Sequence, residues 1–307
     1  MIHTRTAGDV ELIDVESEHL TVTIVPSMGG KLYSIYNKKL KREFLWINRE
    51  VEFRRLPAGS EYDPNFIGGI DELIPNDVPE TIDGIKYPDH GELWTTALDH
   101  IIDDEKVTVH GVLPLSGLYY SKTISLSEND PSLIAEYQIR NDNNAARHFL
   151  WKLHAALQIS EGDKLVTPAK NGLVVDPEYS RFKNERKAFK WPVIEGTDAS
   201  FIPGHNNTMD FFYLYDMETG NMQLHSKAGK VVFGYEYDVS VFPFQWWFAS
   251  YGGFLNHYTA VLEPCTNMPI SVNEALEQQQ SAFLQPGASL TTRVRLFAGE
   301  KIDYLPL

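Results

Sequence analysis

Four short stretches place a protonatable side chain inside, or at the end of, a β-like run. YTAVLEPCTNMP (258–269) alternates as a strand, delivers Glu263 and stops against Pro264. FLWKLHAAL (149–157) carries His154 in a strand-like run, YPDHGELW (87–94) carries His90 before a glycine, and GGIDELIPND (68–77) carries several carboxylates. An ionised carboxylate beside apolar surface is costly unless it is paired or put to use. Alternation gives Trp151, Leu153, Ala155 and Leu157 a purely apolar face, so His154 points with Lys152 to the opposite one. Each residue also has a structural reading. His154 could hydrogen-bond a neighbouring strand, and His90 could be a turn residue held by Asp89. Glu263 could be capped by backbone N–H groups, although Pro264 offers none.

Together, a carboxylate and an imidazole on one concave β surface make a general base and a general acid. A partly buried glutamate is raised and a histidine sits near neutrality, so one accepts a proton while the other donates. No glycine-rich phosphate loop, Gly-x-Ser-x-Gly elbow or His-Glu-x-x-His helix is present, and no cofactor is expected. Acid–base chemistry on a neutral polar substrate remains, with a small-molecule carbohydrate as the expected partner. Trp94 and the pair Trp246-Trp247 could stack on a sugar ring, though buried tryptophans mostly fill cores. Of the adjacent pair, one should face the core and the other the opposite surface.

The elements that must hold these residues are short strands with turn punctuation. LTVTIVPSMGG (20–30) alternates and ends in a glycine pair, and residues 118–143 form two strands around Asn-Asp-Pro. Residues 210–238 give three β-rich runs, and LTTRVRLFAG (290–299) closes the pattern. Helix is scarce; NEALEQQQ (273–280) is the best candidate, with Asn273 as N-cap. The polar stretch 184–207 reads as a surface excursion. The expected architecture is all-β, a large antiparallel β-sandwich forming a single domain over residues 1–307.

Composition bounds the partners. The 307-residue chain has 27 Lys+Arg against 42 Asp+Glu, a net charge of −15. That repels phosphate backbones and anionic lipid, so no nucleic acid and no membrane partner is expected. No basic-plus-apolar leader or membrane-length apolar run occurs, which makes cytoplasm the default location. A single cysteine, Cys265, excludes an internal disulfide and a multi-cysteine zinc site. It reads as a small buried side chain. His90, Glu92, His154 and Glu263 are acceptable metal ligands in kind, but no metal is expected. Asp71-Glu72 reads as a pair of solvated loop acids. Oligomeric state is not legible.

The segments VPSMGGKLYSI, DHGELW, WKLHAAL, VLEPCTNMP and LQPGASLTTRVRL, in this order across nearly the whole chain, resemble the aldose 1-epimerase (galactose mutarotase-like) superfamily. The resemblance implies a very large antiparallel β-sandwich and cofactor-free interconversion of sugar anomers. It implies that Glu263 removes the anomeric proton, that His154 protonates the ring oxygen, and that His90 binds the substrate. It implies a hydroxyl contact for Asp210, with Asp216 and Asp238 as neighbouring alternatives. The family's Asn-Arg pair upstream of the first histidine corresponds here to Asn76-Asp77, a cation replaced by an anion. Asn76 keeps its expected place at the substrate, and Arg54 or Arg55 could restore the charge. A carbohydrate-binding or sugar-sensing module and a hexose-6-phosphate epimerase are the alternatives.

Overall fold

The computed structural model describes residues 1–183 and 187–303. The alternating runs become strands because each has one face to bury, and two antiparallel sheets, of 12 and 8 strands, bury those faces against each other. The main core lies between them. From the larger sheet it takes Trp151, Leu153, Ala155, Leu157 and Leu262, and from the smaller Ile124, Leu133, Ala135 and Leu296.

The expected hairpin over 118–143 is present as Leu118–Leu126 paired with Ser132–Asn141. The runs from 210 onward form Thr208–Tyr215, Gly220–His225 and Val231–Tyr237. The short helix spans Val272–Glu277 and differs from expectation at its start. Ser271, not Asn273, is the N-cap and accepts from the Glu274 N–H at 3.2 Å. The stretch 184–207 is only partly an excursion. Its segment Ala188–Lys190 forms an edge strand beside Asn171–Val174, and residues 184–186 lie outside the described residues. Among the described residues no helix is long and apolar enough to cross a membrane.

Five neighbouring strands in the middle of the larger sheet carry the residues singled out in the sequence at Glu263, His154 and Asp210. Their order is Ile70–Leu73, Lys152–Gln158, Tyr258–Cys265, Phe244–Tyr251 and Thr208–Tyr215. The face turned away from the main core is also largely apolar, with one cluster around Trp246 and Tyr213 and another around Tyr62 and Phe66.

Candidate active site

That outer face forms the floor of a cavity of about 550 Å³, within the range that holds a small-molecule ligand. The pairing is constant from Lys152↔Cys265 to Ala155↔Leu262, which sets His154 against Glu263 on the adjacent strand. On its other side His154 faces Asp71. Period-two geometry therefore brings Lys152 and His154 from one strand and Val261 and Glu263 from the next to one surface.

His90 reaches the same cavity from a tight turn, as the Asp-His-Gly sequence predicts. Its φ is +56° and that of Gly91 is +73°. A side chain at 91 would place Cβ 2.2 Å from the Ile74 carbonyl oxygen, so glycine is required there. Two backbone bonds, His90 N to Asp77 O at 2.6 Å and Glu92 N to Ile74 O at 3.0 Å, fix the turn to the end of the Ile70–Leu73 strand.

The charges are organised around Lys152. Its ammonium lies 2.5 Å from Asp77 and 2.7 Å from Glu263, over the Trp246 ring at 4.4 Å. Burial lowers its proton affinity, but the two carboxylates outweigh that and raise it, so Lys152 stays charged. Burial pushes the Glu263 carboxyl up to about 7, against the opposing pull of Lys152. Burial also pushes His154 well below the usual histidine range, with the Lys152 charge adding to the effect. For His90 burial works against the charged form, but Asp77 at 3.7 Å and Asp89 at 3.0 Å prevail and raise it. The floor thus holds a carboxyl group that titrates near neutrality, a neutral imidazole and an imidazole biased toward its cation.

Of the residues singled out in the sequence, Glu263, His154 and His90 come together here. Asn76 does not reach the cavity lining; its side-chain amide donates to the Val78 and Pro88 carbonyls and braces the turn that carries His90. Trp94 lies beneath Tyr62, edge-on at 5.0 Å, against a smaller neighbouring hollow. Trp247 is in the main core, and its neighbour Trp246 is the one on the outer face. Asp210 also points inward, paired with Arg181 at 2.7 Å and bonded by Tyr251 at 3.1 Å. It tethers the segment that carries the cavity residues Asp176 and Tyr179 instead of lining the cavity itself. Asp71-Glu72 is not a loop pair. Both are buried in a strand, Asp71 bonded by Lys31 at 2.6 Å and Glu72 by Lys122 at 2.7 Å. Arg54 stays outside, near Glu52 at 3.2 Å, and Lys152 supplies the cation at Asp77. Cys265 is buried as expected. Among the described residues no group of three or more His, Cys, Asp or Glu side chains is placed to hold a metal.

The walls were not anticipated. Phe211 and Phe248 form one side, Tyr62, Asp63 and Phe66 another, and Phe254, Leu255 and His257 a third. Phe211 and Phe248 carried a signal, because they share strand parity with Trp246, the member of the tryptophan pair on the outer face. His257, against the Trp46 ring at 4.7 Å, carried none.

The sandwich has the fold of solved galactose mutarotase-like proteins. A galactose mutarotase-like protein from Clostridium acetobutylicum has the same fold, with a TM-score of 0.72 at 14% identity, covering 98% of each chain. One from Lactobacillus casei gives 0.62 at 17% identity, over 93% of this chain and 99% of that one. A TPR-domain containing protein from Parabacteroides distasonis gives 0.70 at 16% identity, over 97% of this chain but 48% of its own length. The chain belongs to the family described as a domain of unknown function (DUF5107), whose profile matches residues 3–215.

Proposed function

We propose that this protein is a cofactor-free aldose 1-epimerase. The observation that carries the reading is the facing pair Glu263 and His154 on adjacent strands, with His90 over the same cavity and the Glu263 carboxyl raised to about 7. A group that titrates near working pH can take a proton and return it in one cycle. In the reaction, Glu263 takes the proton of the anomeric hydroxyl while an imidazole protonates the ring oxygen. The ring C–O bond breaks and the carbonyl forms. Rotation about C1–C2 and reclosure by the reverse transfers give the other anomer, with no net change in protons. Phe211, Phe248 and Tyr179 offer apolar faces to the C–H side of a sugar ring.

Charge favours an unphosphorylated sugar. Asp63, Asp77, Asp176 and Glu263 line the cavity, and Lys152, already between two of them, is the sole Lys or Arg among its lining residues. A phosphate dianion would enter against that field.

Anomer exchange followed by proton NMR, across free aldoses and their 6-phosphates, tests the reading. The expected result is accelerated exchange for a neutral aldose, lost in Glu263→Gln and His154→Ala. Saturable sugar binding with no acceleration for any sugar would replace it with a second reading, a saccharide-binding module. The Lys152–Glu263 ion pair favours that second reading, because it occupies the carboxylate.

A further inference from the structure

Tyr62, which projects from the segment before the Asp63–Asn65 turn, touches both histidines at once. Its ring lies parallel to that of His90, 4.1 Å between centroids and 11° between planes, and edge-on to that of His154 at 5.6 Å and 87°. Its backbone N–H donates to Asp89 at 3.3 Å, and Asp89 stands 3.0 Å from His90 Nδ1. Its hydroxyl lies 2.8 Å from Asp71 Oδ2 and 3.3 Å from His154 Nδ1.

The hydroxyl has one proton, and its direction is determined. Asp71 is ion-paired with Lys31, whose Nζ donates to the same oxygen at 2.6 Å, and the carboxylate of such a pair can only accept. The Tyr62 proton therefore goes to Asp71. Burial, reinforced by the Asp71 charge, holds the phenol far above its ordinary range, so that proton is not lost. What Tyr62 presents to His154 is a lone pair, and the partner of a lone pair is N–H. Which imidazole nitrogen carries the proton is set by the bond the other nitrogen makes.

We infer that Tyr62 is a positioning residue that holds His154 as the Nδ1–H tautomer, so that Nε2 meets the ligand as a proton acceptor and His90 supplies the proton. This assigns the acid role differently from the family resemblance, and it rests on the epimerase reading for its catalytic meaning. The groups around His154 agree with a neutral ring. Lys152 stands on its own strand, Asp71 and Glu263 on the flanking strands, and His90 and Lys31 nearby, the three cations all opposing a further positive charge. Asp77 and Asp89 flank His90 instead and favour its charged form. In the reaction the His90 imidazolium gives its proton to the ring oxygen as the C–O bond breaks. The anomeric proton goes to Glu263, with His154 Nε2 accepting a hydrogen bond from a sugar hydroxyl. Reclosure returns both protons.

The test is histidine 15N NMR on the full chain without ligand, with the His154 signals assigned by their loss in His154→Gln. At pH 7.5 the expected pattern is a protonated-type shift at Nδ1 and a lone-pair shift at Nε2. The reverse pattern, or an imidazolium, would overturn the inference. Tyr62→Phe keeps the ring against His90 and removes the hydroxyl, so His154 should lose its single-tautomer pattern. Retention of the wild-type pattern in that variant would also overturn it. With an exchanging sugar in hand, Tyr62→Phe should lower kcat by about 10- to 100-fold, below the range of about 100- to 10,000-fold for a group that itself transfers the proton, and leave KM within about two-fold. The expected nitrogen pattern without exchange for any sugar would sink the epimerase reading alone.

Discussion

Lys122 and Glu72 meet at 2.7 Å with both side chains fully buried, although they come from different sheets. Tyr137 donates to the other Glu72 oxygen at 2.8 Å, and Lys122 also bonds the Gly30 carbonyl at 2.7 Å. Glu72 follows Asp71 in the chain, so one carboxylate is neutralised beneath the sheet and the other above it. The underside is fastened by the same strand that positions Asp71 for Tyr62.

Removing one member of this pair should be costly, because the other charge is left buried. Lys122→Met should lose about 3–5 kcal/mol of stability. The double variant with Glu72→Gln should recover part of the loss. Urea unfolding followed by tryptophan fluorescence measures both, and a Lys122→Met midpoint equal to wild type would contradict the assignment.

Glu263→Gln should reduce anomer exchange by about 100-fold or more while sugar affinity changes little. The two readouts separate chemistry from binding. Loss of affinity in parallel with exchange would show that the carboxylate only binds.

The raised Glu263 carboxyl has a consequence for stability. Its folded-state value, about 7, lies above the ordinary 4.5, so the folded protein holds a proton that the unfolded chain has released. Stability from this group is fully present below about pH 4.5 and falls as pH rises toward 7. Stability relative to Glu263→Gln should therefore decline across that window, by a few kcal/mol at about 1.4 kcal/mol per pH unit. On the same basis kcat/KM should rise with pH through a midpoint near 7. A flat difference between pH 4.5 and 7 would refute the burial-driven shift.

The adjacent aromatics Trp247 and Phe248 should divide their effects. Trp247→Ala opens the core and should cost about 3–5 kcal/mol, with sugar affinity of the folded fraction unchanged. Phe248→Ala, on the cavity wall, should weaken sugar binding by roughly five-fold, equivalent to about 1 kcal/mol, with a smaller stability loss. Isothermal titration beside thermal melting distinguishes the two.

How much of this could be read from residue order depends on the face in question. The hairpin over 118–143 and the pairing of Lys152 with His154 on one face follow from simple alternation. The choice between Trp246 and Trp247, and the inward turn of Asp210, do not. The larger sheet is apolar on both sides of its central strands, so alternation separates two faces without saying which is core. The buried acids failed for another reason. Asp71 and Glu72 look solvated until Lys31 and Lys122, about 40 and 50 residues away, are brought to them. Tyr62 was invisible on the same ground, since its role exists only where three separate segments meet.

The family match ends at residue 215, yet the strands Tyr258–Cys265 and Phe244–Tyr251 lie between Lys152–Gln158 and Thr208–Tyr215 in the sheet. A fragment of residues 1–215 should therefore lack the middle of its larger sheet and fail to fold cooperatively. Circular dichroism with urea titration checks this; a sharp transition comparable to the full chain would show that the fragment is self-sufficient.

That interleaving also sets a timetable on the ribosome. When Thr208–Tyr215 emerges, the strand that will carry Glu263 has not been made, and two open edges must wait for partners. Translation at roughly 5–20 residues per second makes the wait a few seconds. Until the late strands slot in, His154 has Asp71 on one flank but nothing on the flank that Glu263 will take, so the nascent polypeptide carries His90 and His154 well before the floor of the candidate site is complete.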